Sequence, residues 1–150
     1  MDFYLARHGA AVAELIDPSR PLSGTGRQEV QRVARLAADK AVQVSVIYHS
    51  GIIRASQTAE IFAEHLLPDC GTRMLTGLCP EDDPSVAAAE LAIAASPVML
   101  VGHLPHMNRL ASFLLNRCDV EGDVINFAPA MMACCIREGS IWKLAWTIVP

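Results

Sequence analysis

The feature that most constrains the fold is an alternation of short apolar runs with longer segments of helical periodicity. The apolar runs have the length of strands and occupy residues 2–7, 42–48, 72–75 and 98–101. Apolar residues recur at helical spacing in the segments 27–40, 54–67, 84–95 and 105–117. Strands that alternate with helices are typical of an α/β sheet covered by helices on both faces.

The C-terminal part of the chain has a different pattern. Residues 131–137 and 141–149 are strand-like and flank Gly139-Ser140, which predicts an antiparallel hairpin with a tight turn. No repeat, low-complexity segment or linker divides the 150 residues. We therefore expect one domain over residues 1–150, a three-layer α/β/α sandwich with a mostly parallel sheet and a C-terminal antiparallel hairpin.

Local signals place the ends of several helices. Ser23 is a good N-cap for the first helix, and Asp83 is a good N-cap for the helix that begins near Pro84, where a proline suits the first turn. Pro68 ends the second helix because a proline cannot continue it.

Composition excludes several classes of partner. The formal net charge is −4, so we expect neither a nucleic-acid partner nor an anionic membrane partner. The first apolar run is only as long as a strand, so we expect no signal peptide. The apolar stretch 86–101 is interrupted by Glu90, Ser96 and Pro97, so we do not expect it to span a membrane. These features predict a cytoplasmic protein without a membrane span.

Cysteine usage leads to a similar expectation. The number of cysteines is odd and no Cys-x-x-Cys occurs among Cys70, Cys79, Cys118, Cys134 and Cys135. This pattern argues against a disulfide framework and against a structural zinc site. We expect free thiols, no metal site and no cofactor.

Polar side chains follow three of the predicted strands. Arg7-His8-Gly9 ends the first strand, Arg54 follows the second near the start of a helix, and Gly102-His103 ends the strand at 98–101. Ligands of open α/β sheets bind beyond the carboxyl ends of the strands, so neighbouring parallel strands would bring two arginines and two histidines together. Helix N-termini beside Arg54 and His103 would add N–H donors, and such a cluster suits a tetrahedral dianion.

These motifs resemble those of a known family. Arg7-His8-Gly9, Arg54-Ala55 with Gln57-Thr58-Ala59, and Gly102-His103 are similar to the pattern of the histidine phosphatase (phosphoglycerate-mutase-like) superfamily. The short chain, Arg20-Pro21-Leu22-Ser23 and residues 101–105 resemble its small SixA-like branch of phosphohistidine phosphatases. The resemblance covers essentially the whole chain.

The resemblance implies a role for each residue of the cluster. His8 would be the nucleophile, with Arg7, Arg54 and His103 as the other catalytic residues that bind phosphate, and Arg20 and Gly102 would bind substrate. Guanidinium groups can bind phosphoryl oxygens while a neutral imidazole attacks in line and forms a phosphohistidine intermediate. The carbonyl of Gly9 is a candidate acceptor for the other ring nitrogen of His8. A surface salt bridge would explain Arg20 equally well.

The chain departs from many relatives that act on phosphate esters, which place an acid after the third strand. Here Glu81, Asp82 and Asp83 occupy a Pro-containing loop in which helix capping explains the acids better than catalysis. Phosphohistidine has a better leaving group than an alkyl phosphate and depends less on a protein acid. We therefore expect a metal-independent phosphatase for protein phosphohistidine.

Two alternatives remain open at this stage. The first is a phosphomonoesterase for a small phosphorylated substrate, and the second is a non-catalytic module that binds phosphate or a phosphopeptide. We expect the remaining histidines to lie outside the catalytic set, with His49 at the rim of the site and His65 and His106 on solvated helix faces. We expect Trp142 and Trp146 to pack the terminal hairpin.

Overall fold

The structure, a computed structural model, describes residues 1–116 and 124–150. Among these residues the sheet has six strands. In chain order the elements are β1 (Asp2–Arg7), α1 (Gly24–Asp39), β2 (Val46–His49), α2 (Ile53–Leu66), β3 (Thr72–Met74), α3 (Pro84–Ile93), β4 (Val98–Gly102), α4 (His106–Leu114), β5 (Met132–Glu138) and β6 (Ile141–Ile148). The strand order is β3-β2-β4-β1-β5-β6. The predicted α/β fold class is confirmed.

Strand directions follow the predicted division of the sheet. β1, β2, β3 and β4 pair in parallel, whereas β5 runs antiparallel to both β1 and β6. In the hairpin, Trp142 packs 5.2 Å from Phe3 and Trp146 packs 6.0 Å from Tyr4 between ring centroids. Both tryptophans therefore pack the hairpin against β1, as the sequence predicts.

Two hydrophobic cores lie on opposite faces of the sheet. One joins Tyr4 of β1 to Val30 of α1 and Phe62 of α2. The other joins Phe3, on the opposite face of β1, to residues of α3 and α4 such as Leu91 and Leu110. Successive residues of a strand point to opposite faces, so the alternation along β1 builds both cores and gives the three layers.

Helix caps agree with the sequence. The Ser23 hydroxyl accepts a hydrogen bond from the Gly26 backbone N–H at 3.0 Å. Asp83 caps α3, with Pro84 in the first turn, and its carboxylate accepts from the Ser85 N–H at 2.9 Å. These bonds satisfy donors that a helix start otherwise leaves unpaired.

Several element boundaries differ from expectation, and the start of β2 and the ends of α3 and α4 differ by two residues or more. The second strand begins at Val46 rather than at residue 42, because Val42 N–H still bonds the Ala37 carbonyl of the last turn of α1. Helix α3 ends at Ile93, where Ala94 is extended, and α4 ends at Leu114, just before Asn116, which has a positive φ of 52°.

The described cysteines Cys70, Cys79, Cys134 and Cys135 are free thiols, whereas Cys118 lies outside the described residues. Over residues 1–116 and 124–150, no helix is both long enough and apolar enough to cross a membrane.

Candidate active site

The candidate residues follow three parallel strands, whose carboxyl ends lie at the same edge of the sheet. β4 lies between β1 and β2, with Arg7 aligned to Gly102 and His49 aligned to Val101. The segments that follow these strands therefore begin at the same level. The ring centroids of His8 and His103 are 5.0 Å apart. The convergence expected from the sequence is present for these two histidines.

His8 is held by its backbone and by one ring nitrogen. Its N–H donates to the Gly102 carbonyl at 3.0 Å, and its carbonyl accepts from Ala130 N–H at 3.1 Å. Its Nδ1 lies 2.6 Å from the Gly9 carbonyl oxygen. Because a carbonyl can only accept, Nδ1 carries the proton and Nε2 keeps the lone pair.

The surroundings of His8 favour its neutral form. Burial is the largest influence and lowers its pKa to about 4, and the positive charges of Arg54, Arg7 and Arg20 act in the same direction. The hydrogen bond to Gly9 opposes this shift only in part. At neutral pH the imidazole is therefore uncharged, and its Nε2 can act as a nucleophile.

The segment around Gly9 is fixed by close packing and by α2. A Cβ on Gly9 would lie 2.6 Å from Cγ2 of Val30, so only glycine fits at this approach to α1. The Gly9 N–H donates to Oγ1 of Thr58 at 3.0 Å, and this hydroxyl donates to the Arg54 carbonyl at 2.8 Å. Thr58 thereby ties the end of β1 to the first turn of α2, which carries Arg54.

Gln57 also connects α2 to a neighbouring segment, the one before α1. Its Oε1 accepts from the Leu22 N–H at 2.8 Å and so connects α2 to the segment that carries Arg20. Adjacent residues of α2 thus hold two segments: Thr58 binds Gly9 beside His8, and Gln57 binds Leu22 in the segment that carries Arg20.

Arg7 at the end of β1 and Arg54 in the first turn of α2 each have a buried Nε without a partner among the described residues. Arg7 uses Nη1 to donate to the Phe127 carbonyl at 2.9 Å. Burial lowers the pKa of Arg7 and is the main cause of the lowered pKa of Arg54, to which the charge of Arg20 contributes. Both guanidinium groups remain ionised at neutral pH, and they supply local positive charge in a protein of net charge −4.

Arg20 lies close enough to affect both His8 and Arg54 electrostatically. Its backbone has a positive φ of 49°, and its Nε donates to the Val12 carbonyl at 3.2 Å. The structure thus shows a backbone contact for this side chain, and its predicted substrate contact stays a prediction.

His103 is almost completely buried, and its Nε2 lies 2.6 Å from the Ser50 hydroxyl. Burial lowers its pKa to about 3, helped by His8, Arg54, His106 and Arg7. A Cβ on the neighbouring Gly102 would lie 2.7 Å from Sδ of Met107, so any side chain there would displace Met107. The Gly102 carbonyl accepts from His8, and the predicted substrate contact of Gly102 is not tested.

The expectation for His106 was wrong. This side chain is fully buried rather than solvated, and neither ring nitrogen has a partner among the described residues. Helical spacing could not show that the first turn of α4 lies near Asp82 and Asp83, whose charges act on the ring. His65 is half-buried on α2, and His49, also half-buried, accepts from Gly51 N–H at 3.0 Å.

The three acids of the loop before α3 have local contacts. Glu81 pairs with Arg109 at 3.4 Å in an exposed ion pair, and Asp82 accepts from the Cys79 N–H at 2.9 Å. Asp83 caps α3 as described above. Within the described ranges, no group of three or more His, Cys, Asp or Glu side chains is arranged to hold a metal ion.

Sequence reasoning gave no positioning role to Ser50 or Asn108. Ser50 directly follows β2, where a buried polar residue at a strand end could have drawn attention. Asn108 lies on the buried face of α4 and accepts from the Phe127 N–H at 3.0 Å. Its signal is absent from the sequence because the contact depends on a loop that follows α4.

Comparison with known proteins finds a family model that matches the N-terminal half of the chain and a similar curated protein. Residues 3–74 match the family model of the histidine phosphatase superfamily, branch 1. The phosphohistidine phosphatase SixA of Escherichia coli (strain K12) is 25% identical over 155 residues, covering 100% of this chain and 94% of that protein. The chain is therefore similar to histidine phosphatases, with the family-model match confined to residues 3–74.

Two solved structures share the fold over nearly the whole chain. A protein histidine phosphatase SixA complexed with tungstate is 23% identical with a TM-score of 0.86, covering 99% of this chain and 97% of that chain. A SixA described as a putative phosphohistidine phosphatase from Agrobacterium tumefaciens is 22% identical with a TM-score of 0.80 over the same shares. The match to the family model and the similarity to SixA of Escherichia coli (strain K12) support a phosphatase enzyme.

Proposed function

We propose that residues 1–150 form one phosphatase domain that works without a metal ion, through a phosphohistidine on His8, on protein phosphohistidine. The observation that carries the proposal is the state of the His8 ring. Its Nδ1 is bound to the Gly9 carbonyl at 2.6 Å, and its pKa is lowered to about 4, so Nε2 is available as an uncharged nucleophile. Arg7, Arg54 and His103 provide donors around it.

The first half-reaction moves the phosphoryl group to the protein. Arg7 and Arg54 bind its non-bridging oxygens and reduce the repulsion that a nucleophile meets. The lone pair of His8 Nε2 forms a bond to phosphorus as the P–N bond of the substrate breaks. The electron pair stays on the substrate imidazole, which takes a proton from water, while His8 keeps its proton on Nδ1.

The second half-reaction regenerates the site. Water attacks the phosphorus of phosphorylated His8, the P–Nε2 bond breaks, and its electron pair returns to Nε2. Inorganic phosphate leaves and the water proton passes to solvent. Charge stabilisation by fixed arginines does here what a divalent cation does in many phosphoryl-transfer enzymes, which supports a reaction without metal.

The substrate class is inferred from the leaving group. An alkoxide needs a proton donor, whereas imidazole leaves readily once protonated. Glu81 and Asp82 have local partners and Asp83 caps a helix, so the three acids have structural contacts of their own. The names of the SixA relatives are consistent with phosphohistidine as substrate. We propose a phosphorylated protein as the partner and the cytoplasm as the compartment.

One assay separates the proposal from its alternatives. A protein carrying [32P]phosphohistidine is incubated with wild-type enzyme, with His8→Ala and with His65→Ala as a matched histidine control. We expect phosphate release by the wild type and His65→Ala and none by His8→Ala. Binding without release would indicate a phosphate-binding module, and faster release from small phosphate esters would indicate a phosphomonoesterase.

Trapping the intermediate tests the nucleophile itself. Rapid quenching should give an alkali-stable, acid-labile label on the peptide that contains His8. His103→Ala should slow labelling without moving the label. A label on His103, or an acid-stable label on Ser50, would show that the nucleophile is assigned wrongly.

A further inference from the structure

Ser50 joins the two loops that flank the candidate site. It directly follows β2, is nearly buried, and places its hydroxyl oxygen 2.6 Å from Nε2 of His103 at the end of β4. The same oxygen accepts the N–H of Ile52 at 3.2 Å, which fixes the hydroxyl from the side of α2. The Ile52 N–H therefore holds the Ser50 hydroxyl in place while the hydroxyl contacts the ring of His103.

Counting donors and acceptors gives the direction of the bond to His103. A serine hydroxyl has one hydrogen to donate and two lone pairs to accept with. Ile52 N–H occupies one lone pair, so the hydroxyl hydrogen is free for Nε2. In the opposite direction Oγ would accept two bonds, and its own hydrogen would lack any partner that the described residues provide. Buried hydroxyl donors are normally paired, which favours donation by Ser50.

The other nitrogen of His103 completes the argument. Nδ1 is buried and has no hydrogen-bond partner among the described residues. When Nε2 accepts from Ser50, a neutral imidazole must carry its proton on Nδ1. The low pKa of His103 supports a neutral ring. The result is a buried donor without an acceptor, in a ring that lies 5.0 Å from the ring of His8.

We propose that Ser50 is a positioning residue: its hydroxyl donates to Nε2 of His103 and fixes the tautomer whose Nδ1–H donates to an oxygen of the transferred phosphoryl group. The proposal rests on the proposed function, and it names Nδ1 as the atom of His103 that donates to the phosphoryl group. The reverse tautomer would direct the Nδ1 lone pair at a negative oxygen, which is repulsive. Ser50 thus acts on the phosphoryl group only through the ring of His103.

The tautomer can be measured without any turnover. Two-bond 1H–15N spectra of uniformly 15N-labelled protein distinguish a protonated from an unprotonated ring nitrogen, and His103→Gln assigns the signals. At pH 7 we expect His103 of the wild type to be protonated on Nδ1. Ser50→Ala should populate the Nε2–H form, Ser50→Thr should keep the wild-type form, and Ser56→Ala is the matched control. The Ser56 hydroxyl donates to the Ile53 carbonyl in the first turn of the same helix.

Kinetics then connect the tautomer to catalysis. With phosphohistidine substrate, Ser50→Ala should lower kcat by about 10–100-fold. This is the range found when a group that orients a metal-binding histidine is lost, and we expect a similar effect for the ring of His103. Ser50→Thr should recover most of this loss, and Ser56→Ala should behave as the wild type. Inhibition by orthovanadate, a tetrahedral oxyanion, should weaken in Ser50→Ala in parallel with kcat.

The outcomes separate this proposal from the proposed function. His103 protonated on Nε2 in the wild type, or an unchanged tautomer and kcat in Ser50→Ala, would overturn the role of Ser50 even in an active phosphatase. A wild type without phosphatase activity, but with the Nδ1–H tautomer dependent on Ser50, would overturn the proposed function and leave the tautomer assignment supported.

Discussion

Nη1 of Arg7 lies 2.9 Å from the carbonyl oxygen of Phe127, a residue 120 positions further along the chain. The backbone N–H of Phe127 donates in turn to Oδ1 of Asn108 on α4 at 3.0 Å. The guanidinium at the end of β1 is therefore oriented by a backbone group that another helix holds in place.

The first prediction concerns Asn108. Asn108→Ala should let the Phe127 carbonyl shift, and loss of alignment at Arg7 should lower kcat/KM by about 10–100-fold. Asn108→Asp keeps an acceptor at Oδ1 and should retain more activity. Asn126→Ala removes only the 3.3 Å bond from Nδ2 of Asn108 and serves as the control. Equal losses in Asn108→Ala and Asn126→Ala would contradict the link to Arg7.

The second prediction concerns the phosphate-binding set. Arg7→Ala, Arg54→Ala and His103→Ala should each lower kcat/KM by about 10²–10³-fold, as for loss of a preorganised donor at a developing charge. Arg109→Ala, which removes an exposed ion pair with Glu81, should leave kcat/KM unchanged. Thermal unfolding of each variant controls for folding. Near wild-type kinetics in all three site variants would place the reaction elsewhere.

The third prediction is that turnover survives a metal chelator. Arg7 and Arg54 carry the charge neutralisation in the proposed mechanism, so dialysis against EDTA should leave kcat and KM unchanged. Activity is measured before dialysis, after dialysis and after addition of Mg²⁺, Mn²⁺ or Zn²⁺. A loss in EDTA that a divalent ion reverses would contradict the mechanism.

The fourth prediction concerns the acidic loop. Glu81→Gln and Asp82→Asn should change kcat/KM for phosphohistidine little, because that leaving group does not rely on them. Asp83→Asn keeps a capping acceptor, whereas Asp83→Ala should lower the free energy of unfolding through loss of the α3 cap. An alkyl phosphate that is hydrolysed efficiently by the wild type, but not by one of these variants, would identify a proton donor.

The fifth prediction concerns pH. Burial lowers the pKa of His8 to about 4 and of His103 to about 3, from an ordinary value of 6.5, and also lowers that of His106. As the pH falls below 6.5, the unfolded chain binds protons that the folded protein does not, so the free energy of unfolding falls. The loss continues until the pH reaches the folded pKa values, near 4 for His8 and near 3 for His103.

Urea unfolding between pH 7 and pH 4.5 measures this dependence. His106→Leu should flatten it, because the variant removes a buried neutral histidine that is not assigned to the catalytic set. His65→Leu, a partly exposed position on α2, is the control and should change the slope less. An identical slope in the wild type and His106→Leu would contradict the prediction for this residue.

Local sequence was a good guide to the elements and to the strand ends. Ser23 and Asp83 marked helix starts because a capping bond spans only two or three residues. The boundary at Val46 was missed because the Val42 N–H donates to the Ala37 carbonyl of the preceding helix turn rather than to a neighbouring strand. Apolar composition could not distinguish these two uses of a buried valine.

The sequence by itself determined the order of strands and helices, the motifs at three strand ends and hence the candidate residues, because each depends on near neighbours in the chain. Only the tertiary structure decided which groups hold those residues. Ser50 meets His103 53 residues away, Asn108 holds Phe127, which holds Arg7, and His106 is buried near a distant loop. Such contacts depend on strand register and helix packing, which no local pattern encodes.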